Sequence, residues 1–352
     1  MVAHKSNSSA RRAGKPATLA LVAQHSGVSP QTVSNALNSP DLLAPETLAR
    51  VRRSIDKLGY RPHQAARSLR TKSSRLIGFE VQLSAYGVFG PVSEHFLHSV
   101  SESASEAGYG ILLFTASAGG DDETERYAEL LRERSVDAFI LTNTHRGDRR
   151  PGWLRKRGIP FVPFGRWSAR DTEDWIDVDG AHGTAAAVDH LVGLGHRKIA
   201  FLGWPRGSGV GDDRALGWRE AMRRHQLSVR GLRVSAVDDV EAARDAVEGL
   251  FPAGVTAVVA ASDTLALGCY RALRESGRTP GRDVAVIGFD DSAAAGLLSP
   301  HLSSLRQPLR EVGRSCVHLL LDRIREPQRD PEHILLKPEL IVRESASQSA
   351  SN

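Results

Sequence analysis

Residues 18–69 read TLALVAQHSGVSPQTVSNALNSPDLLAPETLARVRRSIDKLGYRPHQAARSL, and this stretch decides how the amino-terminal part of the chain folds. Two short amphipathic segments, Leu19–His25 and Pro30–Asn38, are separated by Ser-Gly-Val-Ser. In that turn Gly27 permits a left-handed backbone, and Ser29 is a favourable N-cap for the segment that follows. A proline costs nothing at the first helical position, where its missing N–H has no partner to lose. The pattern predicts a helix-turn-helix unit.

The second predicted helix separates its polar and apolar residues by face. Its apolar face, which we expect to pack on the first helix, carries Val33, Ala36 and Leu37. Its polar stripe follows helical spacing and consists of Gln31, Ser34, Asn35 and Asn38. Amide side chains present a donor and an acceptor side by side, which suits base edges in a major groove. A solvated face on a small helical bundle is the alternative interpretation.

A third helix is predicted from about Pro45 to Leu58, and Gly59 ends it. The short piece His63–Arg70 follows the Tyr-Arg-Pro at residues 60–62. At roughly eight residues this piece is too short to be a stable helix alone.

The motifs VAQHSGVSPQTVSNALN, LGYRP and AARSL, in this order and spacing, resemble the DNA-binding headpiece and hinge of the lactose-repressor (LacI/GalR) family of bacterial transcription regulators. The resemblance implies that the second helix enters the major groove of double-stranded operator DNA. Base-edge contacts are expected from Pro30, Gln31, Ser34 and Asn35, and phosphate contacts from Thr18, Ser29, Thr32 and Asn38. Many family members carry Arg at the position of Asn35. Because Asn favours adenine where Arg favours guanine, we expect this protein to prefer a different operator sequence from those members.

The same resemblance assigns a role to the hinge. Two copies of Gln64–Arg70 would pair as helices in the minor groove, where Leu69 wedges into a base step and Ala66 allows close approach. This makes a homodimer on a palindromic operator the expected functional state. Packing of Leu69 on its own headpiece is the alternative.

Charge is distributed unevenly along the 352 residues, although the formal net charge is only +5. Residues 1–75 hold 13 Lys and Arg against 3 Asp and Glu, whereas the remainder holds 33 against 38. A basic head on a mildly acidic body indicates a polyanionic partner for the head alone. Residues 1–17 lack an apolar core and are interpreted as a disordered basic arm rather than a signal peptide.

From residue 75 onward, short apolar runs alternate with amphipathic segments. Strands are predicted near 76–81, 111–114, 138–141, 161–164, 199–202, 257–260 and 284–289. Helices are predicted near 92–107, 122–134, 183–194, 214–225, 240–250, 264–276 and 309–325. This alternation predicts parallel sheets covered on both faces, divided into two doubly wound lobes.

The family resemblance extends over this part through motifs such as HLVGLGHRKIAFLG, ASDTLALG, DVAVIGFDD and LKPELIVR. It implies an α/β core of the periplasmic-binding-protein type, with a small ligand between two lobes. Three chain crossings between the lobes are expected near 165–178, 292–303 and 336. A domain plan follows: headpiece 18–61, hinge helix and linker 62–74, effector-binding and dimerisation core 75–344, and tail 345–352.

Ligands in open parallel sheets bind beyond the carboxyl ends of the strands. The polar residues expected there, and therefore the candidate effector contacts, are Ser84, Asn143, Arg166, Arg214, Ser262 and Asp290. Arg214 can form a forked contact with a hydroxyl pair, and Asp290 can accept two sugar hydroxyls; a structural ion pair is the alternative for each. Ser262 stands where the family usually has Asn, which puts the ordinary hexose contacts in doubt. Tyr86 or Phe89 could stack on a sugar face, although core packing is the alternative for both.

No catalytic or metal-binding motif stands out. The glycines at 207, 209 and 211 lack the third glycine of a dinucleotide loop, and no Walker lysine follows them. Cys269 and Cys316 are isolated and are interpreted as buried thiols. We therefore expect no enzyme, no cofactor, no bound metal and no membrane span.

These observations predict a sequence-specific transcription regulator, a repressor released from its operator by a small-molecule inducer such as a sugar. Two alternatives stay open: a purine-type repressor activated by a co-repressor, and a solute-binding receptor. The absent signal peptide and the basic head disfavour the receptor. The expected location is the cytoplasm, in association with the nucleoid.

Overall fold

The computed structural model describes residues 17–60, 73–81, 91–116, 124–145, 147–166 and 172–347. The chain divides into two compact units, Met1–Ser74 and Arg75–Asn352. Most of the predicted arm and all but two residues of the predicted hinge and linker lie outside the described residues.

The first unit contains the predicted helix-turn-helix. Its helices are α1 (Leu19–Ser26), α2 (Pro30–Asn38) and α3 (Pro45–Leu58). Gly27 ends α1 with φ near +64° and Gly59 ends α3 with φ near +59°, so both glycines occupy the left-handed region. The small core joins all three helices and consists of Val22, Ala23, Val33, Ala36, Val51 and Tyr60.

The second unit alternates strands and helices, as predicted. Its strands are β1 (Leu76–Glu80), β2 (Gly110–Phe114), β3 (Ala138–Leu141), β4 (Phe161–Pro163), β5 (Trp175–Val178), β6 (Ile199–Gly203), β7 (Arg233–Ser235), β8 (Ala257–Ala260), β9 (Ala285–Asp290), β10 (Ser303–Arg306), β11 (His333–Leu336) and β12 (Glu339–Ile341). Its helices are α4 (Pro91–Glu106), α5 (Glu125–Arg132), α6 (Arg149–Lys156), α7 (Gly180–Gly193), α8 (Gly209–Arg224), α9 (Val240–Val247), α10 (Asp263–Glu275) and α11 (Leu309–Arg325).

Two separate sheets define two lobes. The amino lobe holds the parallel sheet β2-β1-β3-β4, in which Ile77 lies opposite Ile111 and Ala138. The carboxyl lobe holds the sheet β12-β10-β9-β8-β6-β7, which is parallel except where β12 runs against β10. Each sheet is covered by helices, and the largest buried apolar cluster lies in the carboxyl lobe. The doubly wound two-lobed prediction is thereby confirmed.

The chain crosses between the lobes three times. The crossings follow β5, β10 and β11, because α11 packs beside α4 in the amino lobe while β12 joins the carboxyl sheet. The second crossing therefore falls between Arg306 and Leu309, later than the predicted 292–303. The reason is that β10 still pairs with β9, so the chain remains in the carboxyl lobe through Arg306.

Candidate functional site

Helix α2 presents the polar surface that the sequence predicts. Ser29 caps the helix by accepting a 3.1 Å hydrogen bond from the backbone N–H of Thr32, and its hydroxyl lies 2.9 Å from the Thr32 hydroxyl. Thr18 likewise accepts a bond from the Leu21 N–H at the start of α1. These caps fix the two helix ends whose N–H groups and hydroxyls can approach phosphates.

Two amide side chains on α2 are bonded to each other. The Gln31 amide nitrogen donates to the Asn35 side-chain oxygen at 3.0 Å. This bond orients the pair, and it turns the Gln31 oxygen and the Asn35 nitrogen toward other partners as one acceptor and one donor. Asn38 is less available, because its amide donates to the Ser34 backbone oxygen at 2.6 Å. The outer face of α2 therefore offers one uncharged acceptor and one uncharged donor.

A cavity of about 510 Å³ opens where strand ends of both lobes meet. The amino lobe contributes residues of β1, β5 and α4 and of the segments that follow β3 and β4. The carboxyl lobe contributes residues of α8, α10 and β9 and of the segments that follow β6, β7, β9 and β10. Its aromatic wall consists of Phe79, Phe96, Phe164 and Trp204. Its polar wall includes Glu80, Asn143, His145, Asp177, Arg214, Asp238, Asp263, Asp290 and Gln307. The size and mixed lining suit a small polar ligand with apolar ring faces.

Arg214 is the buried cation of this cavity, with a relative exposure of 4%. Its guanidinium lies 3.5 Å from the centre of the Phe289 ring and donates to the Ala261 carbonyl. Its Nε has no hydrogen-bond partner in the described part of the chain. Burial lowers the pKa of Arg214, and the facing carboxylate of Asp290, 3.8 Å away, acts in the opposite direction.

Asp290 ends strand β9 and faces Arg214. Burial raises the pKa of its carboxyl group to about 7, while the guanidinium of Arg214 works against that rise. Gln307 holds the same carboxylate through a 2.7 Å bond from its amide nitrogen to Oδ1. The site therefore contains a carboxyl group whose charge changes near neutral pH.

Two cavity residues have a strained backbone. Asn143 has φ near +52° and Asp290 has φ near +112°, although neither is glycine. Side-chain-bearing residues in this region cost free energy and occur preferentially at binding sites. Asn143 lies just beyond β3 and Asp290 ends β9, and both line the cavity.

The six predicted effector contacts are not all brought together. Asn143, Arg214 and Asp290 line the cavity. Arg166 lies beside it and is committed to Asp177 at 2.8 Å and Asp213 at 3.1 Å. Ser262 is buried and is not among the lining residues; it caps α10 by accepting a bond from the Leu265 N–H. Ser84, and with it Tyr86 and Phe89, lies outside the described residues, as do the hinge residues Ala66 and Leu69.

Sequence reasoning missed Glu80, Trp204 and Asp238. Glu80 could have been found, because a carboxylate at the end of the apolar run LIGFE calls for a partner. Trp204 directly follows a predicted strand, but it begins a glycine-containing loop in which no motif marks it as a ligand contact. Asp238 was obscured by its neighbour Asp239, which is the N-cap of α9.

Within the described segments, no helix combines the length and the apolar character needed to cross a bilayer. The same segments bring together no group of His, Cys, Asp and Glu side chains that could hold a metal ion. Both cysteines are buried, and burial raises the pKa of each thiol.

Both halves of this architecture match known families. Residues 18–63 match the model of bacterial regulatory proteins of the lacI family, and residues 188–346 match the model of the periplasmic binding protein-like domain. The chain is 35% identical to the HTH-type transcriptional regulator CelR of Thermobifida fusca, over 93% of this chain and 98% of that protein. It is 30% identical to the ribose operon repressor of Escherichia coli K12, over 94% of this chain and all of the repressor.

Solved structures show the same similarity. A transcriptional regulator CelR–cellobiose complex aligns with a TM-score of 0.72 at 32% identity, covering 94% of this chain and 99% of that one. The lac repressor dimer bound to operator and the anti-inducer ONPF aligns with a TM-score of 0.82 at 26% identity, again covering 94% and 99%. The chain, with its helix-turn-helix unit and its two-lobed core, belongs to the lacI family of bacterial regulatory proteins.

Proposed function

We propose that this regulator is a homodimeric repressor that binds a palindromic operator and is released when a sugar occupies the cavity. One observation carries the proposal: the same chain presents an uncharged, pre-oriented amide pair on α2 and a cavity built from the strand ends of two lobes. The cellobiose held by the CelR complex and the sugar operon named for the ribose repressor support a sugar as effector.

In this proposal α2 lies in the major groove. Base edges are contacted by Pro30, Gln31, Ser34 and Asn35, and phosphates by Thr18, Ser29, Thr32 and Asn38. The donor and acceptor left by the Gln31–Asn35 bond match the N7 and N6 groups of adenine. The hinge residues Ala66 and Leu69 would enter the minor groove at the operator centre, as the dimeric arrangement of a palindrome requires.

The cavity would act on DNA affinity through the two lobes. Arg214 and Asp290 come from the carboxyl lobe, while Asn143 comes from the amino lobe, so a ligand touching all three holds the lobes in one arrangement. A ligand shifts operator affinity if it binds one lobe arrangement better than the other. The protein would act in the cytoplasm as a binding protein without catalysis.

The test is binding of purified full-length protein to palindromic DNA from its own upstream region, titrated with cellobiose, ribose, sugar phosphates and purines. Release by a neutral sugar is the expected result. Tighter operator binding in the presence of a purine or a sugar phosphate would show that the effector is a co-repressor and not an inducer. An absence of operator binding under every condition would contradict the proposal.

A leucine comparison tests the hinge. Leu69→Ala should lose most specific operator binding while keeping the salt-dependent binding to unrelated DNA, because the wedge is lost but the cations remain. Leu42→Ala is the matched control, since Leu42 is a 75% exposed leucine of the headpiece with no proposed contact. If Leu69→Ala lost affinity equally for operator and for unrelated DNA, Leu69 would not act by inserting into a base step.

A further inference from the structure

The cavity wall is strongly acidic. In the part of the chain that the structure describes, it carries five carboxylates and one guanidinium, and it has no lysine. The carboxylates are Glu80, Asp177, Asp238, Asp263 and Asp290. Their oxygens differ in how far the protein already uses them.

In two of the five carboxylates, both oxygens already accept a hydrogen bond from the protein. Asp177 accepts from Arg166 on Oδ2 and from the Val178 N–H on Oδ1. Asp263 accepts from the Ser304 hydroxyl on Oδ1 and from the Ser292 N–H on Oδ2. Neither has an oxygen that is free of protein partners.

Glu80 is different, because both of its bonds end on the same oxygen. Tyr127 and Arg150 each donate to Oε2 at 2.7 Å, and Oε1 accepts no hydrogen bond from the described residues. The residue is only 8% exposed, yet it lines the cavity. Its position is fixed from behind, since Arg150 is also held by Asp148 and by the Thr142 carbonyl. The Glu80 carboxylate is therefore held rigidly, and its Oε1 is available to a ligand in the cavity.

Asp238 repeats this arrangement in the other lobe. The Trp204 indole N–H donates to its Oδ1 at 3.2 Å, and the Ser262 hydroxyl donates to the same atom. Oδ2 accepts no hydrogen bond within the described part. Ser262 is itself fixed, because its hydroxyl accepts the Leu265 N–H at the start of α10. Ser262 thus positions a carboxylate at the cavity and orients the Trp204 ring through it.

We propose that Glu80 and Asp238 are effector-contacting residues that select a ligand rich in hydroxyl donors and reject anions. This inference rests on the proposed function, in which the cavity binds the effector. Each residue offers one unused carboxylate oxygen, and a hydroxyl that donates to a carboxylate forms a charge-assisted bond, which is stronger at buried Glu80 than at exposed Asp238. A phosphate or carboxylate group beside Asp238 would meet a like charge that no described Lys or Arg side chain pairs with, since Asp238 is held only by Trp204 and Ser262. Beside Glu80, whose charge is shared with Arg150, such a group would meet an acceptor oxygen and would have no proton to donate to it. The ligand class is an uncharged polyol, and Glu80 and Asp238 contact it from opposite lobes.

The experiment compares matched neutral and anionic sugars on full-length protein. Calorimetry at one fixed ionic strength would use cellobiose against cellobionic acid, and ribose against ribose 5-phosphate. The variants are Glu80→Gln and Asp238→Asn, which keep the side-chain shape and remove the charge. Asp189→Asn is the control, because Asp189 is an exposed carboxylate bonded to Arg224 and His225 and lies outside the cavity lining.

We expect the parent protein to bind a neutral sugar and to bind its anionic counterpart at least about tenfold more weakly. Each cavity variant should bind the neutral sugar roughly 10- to 100-fold more weakly, as the loss of a hydrogen bond to a charged group predicts. The preference for neutral over anionic sugar should also narrow in both variants. The control should match the parent in both respects. Asp238→Asn keeps the inference testable if Glu80→Gln weakens folding, since Asp238 is solvent-exposed.

Two results would overturn the inference alone. One is a parent protein that is released from operator by a neutral sugar while both cavity variants respond at the parent's sugar concentrations. The other is a parent that binds an anionic sugar as tightly as its neutral counterpart. A parent that binds none of these sugars and keeps its operator in their presence would instead contradict the proposed function, and this inference with it.

Discussion

At the scale of single residues, the amino lobe contains a buried ion cluster around Arg150. The Arg150 guanidinium is 5% exposed and bonds the carboxylates of Glu80 and Asp148. Burial lowers the pKa of Arg150, but the bonds to Asp148 together with the nearby charges of Tyr127, Asp148 and Glu80 outweigh that effect and raise it. Burial likewise raises the pKa of Tyr127, which donates to the same Glu80. Arg150 therefore stays charged and neutralises two carboxylates that have little access to water.

Replacing Arg150 with Met should be strongly destabilising, by about 3 to 5 kcal/mol, because two buried carboxylates lose their cation. Urea unfolding followed by circular dichroism measures the free energy of unfolding. Arg126→Met is the control, since Arg126 forms a 41% exposed pair with Glu129 that should contribute less than about 1 kcal/mol. Similar losses in the two variants would mean that the cluster is not a source of stability.

Asp290 should make the ligand-free protein less stable as the pH rises. Its folded pKa of about 7 lies above its ordinary value of 3.8, so between these values the native state keeps a proton that the unfolded state has lost. Stability then falls by at most about 1.4 kcal/mol per pH unit from about pH 4 to about pH 7, and the penalty is fully present above that window. Below pH 4 both states are protonated and the effect vanishes.

The side chain of Asp290→Asn is neutral at every pH. The melting temperature of the variant minus that of the parent should therefore increase as the pH is raised from 5 to 8. The neighbouring charges of Arg214, Asp263 and Asp238 are the same in both proteins. Differential scanning calorimetry at several pH values provides the comparison. A difference in melting temperature that does not change with pH would mean that Asp290 is ionised across the whole range.

Prediction from sequence was uneven at this scale. Arg214 and Asp290 could be placed at the cavity because they stand beside motifs and strand ends. The pairing of Trp204 with Asp238 joins residues 34 positions apart. No local pattern encodes such a bond, since it depends on how β6 and β7 are set side by side.

At the scale of helices and strands, close contact between α7 and α8 depends on one glycine. A methyl group added at Gly217 would lie 2.0 Å from the Ala181 carbonyl oxygen, and backbone atoms cannot yield as a side chain can. Gly217 is therefore required for the approach of these two helices, and a larger residue must push them apart.

Gly217→Ala should lower the free energy of unfolding by about 1 to 3 kcal/mol or more through this overpacking. Gly152→Ala is the contrasting variant, since Gly152 lies inside α6 with open space around it and a negative φ. It should raise stability by about 0.5 to 1 kcal/mol, as alanine replaces glycine within a helix. Guanidinium unfolding measures the free energy of unfolding of both variants, which should fall for Gly217→Ala and rise for Gly152→Ala. An unchanged free energy of unfolding in Gly217→Ala would show that the two helices can move apart without cost.

Helices were predicted accurately where a regular hydrophobic pattern extends over many residues. Helix α11 was predicted with the bounds it has, because its apolar residues repeat over 17 residues. Helix α6 was missed because RRPGWLRK contains proline and glycine; its proline lies in the first turn, where it is tolerated. Strands β5, β7, β10, β11 and β12 were not predicted, because each contains polar or exposed residues. The equally short β3, β4 and β8 were predicted, since they are apolar and buried throughout. The pairing partners of the five unpredicted strands, rather than their own residues, make them strands.

At the scale of the whole molecule, charge and chemistry divide along the chain. The amino-terminal 75 residues have an excess of cations, 13 Lys and Arg against 3 Asp and Glu, and the rest of the chain is net negative, 33 against 38. The cavity of the second unit is lined by more carboxylates than cations. DNA and a neutral sugar should therefore respond differently to salt. Operator affinity should fall by about a thousandfold or more between about 50 mM and about 200 mM salt, because phosphate contacts release counterions.

Sugar affinity should change little over the same range, since no net charge is bound. Fluorescence anisotropy on labelled operator and calorimetry with the sugar measure the two affinities in identical buffers. The sugar titration is thus the internal control for the DNA titration. A sugar affinity that falls as steeply as operator affinity would indicate a charged effector.

The path of the chain has a consequence for how the protein is made. The headpiece is complete once residue 60 has left the ribosome, so it can fold while the rest is still being translated. The amino lobe cannot, because α11 and β11 fill its core and the latter ends only at Leu336. Nearly the whole polypeptide must emerge before either lobe is complete, so a nascent chain holds a finished DNA-binding unit well before it holds a finished sugar cavity.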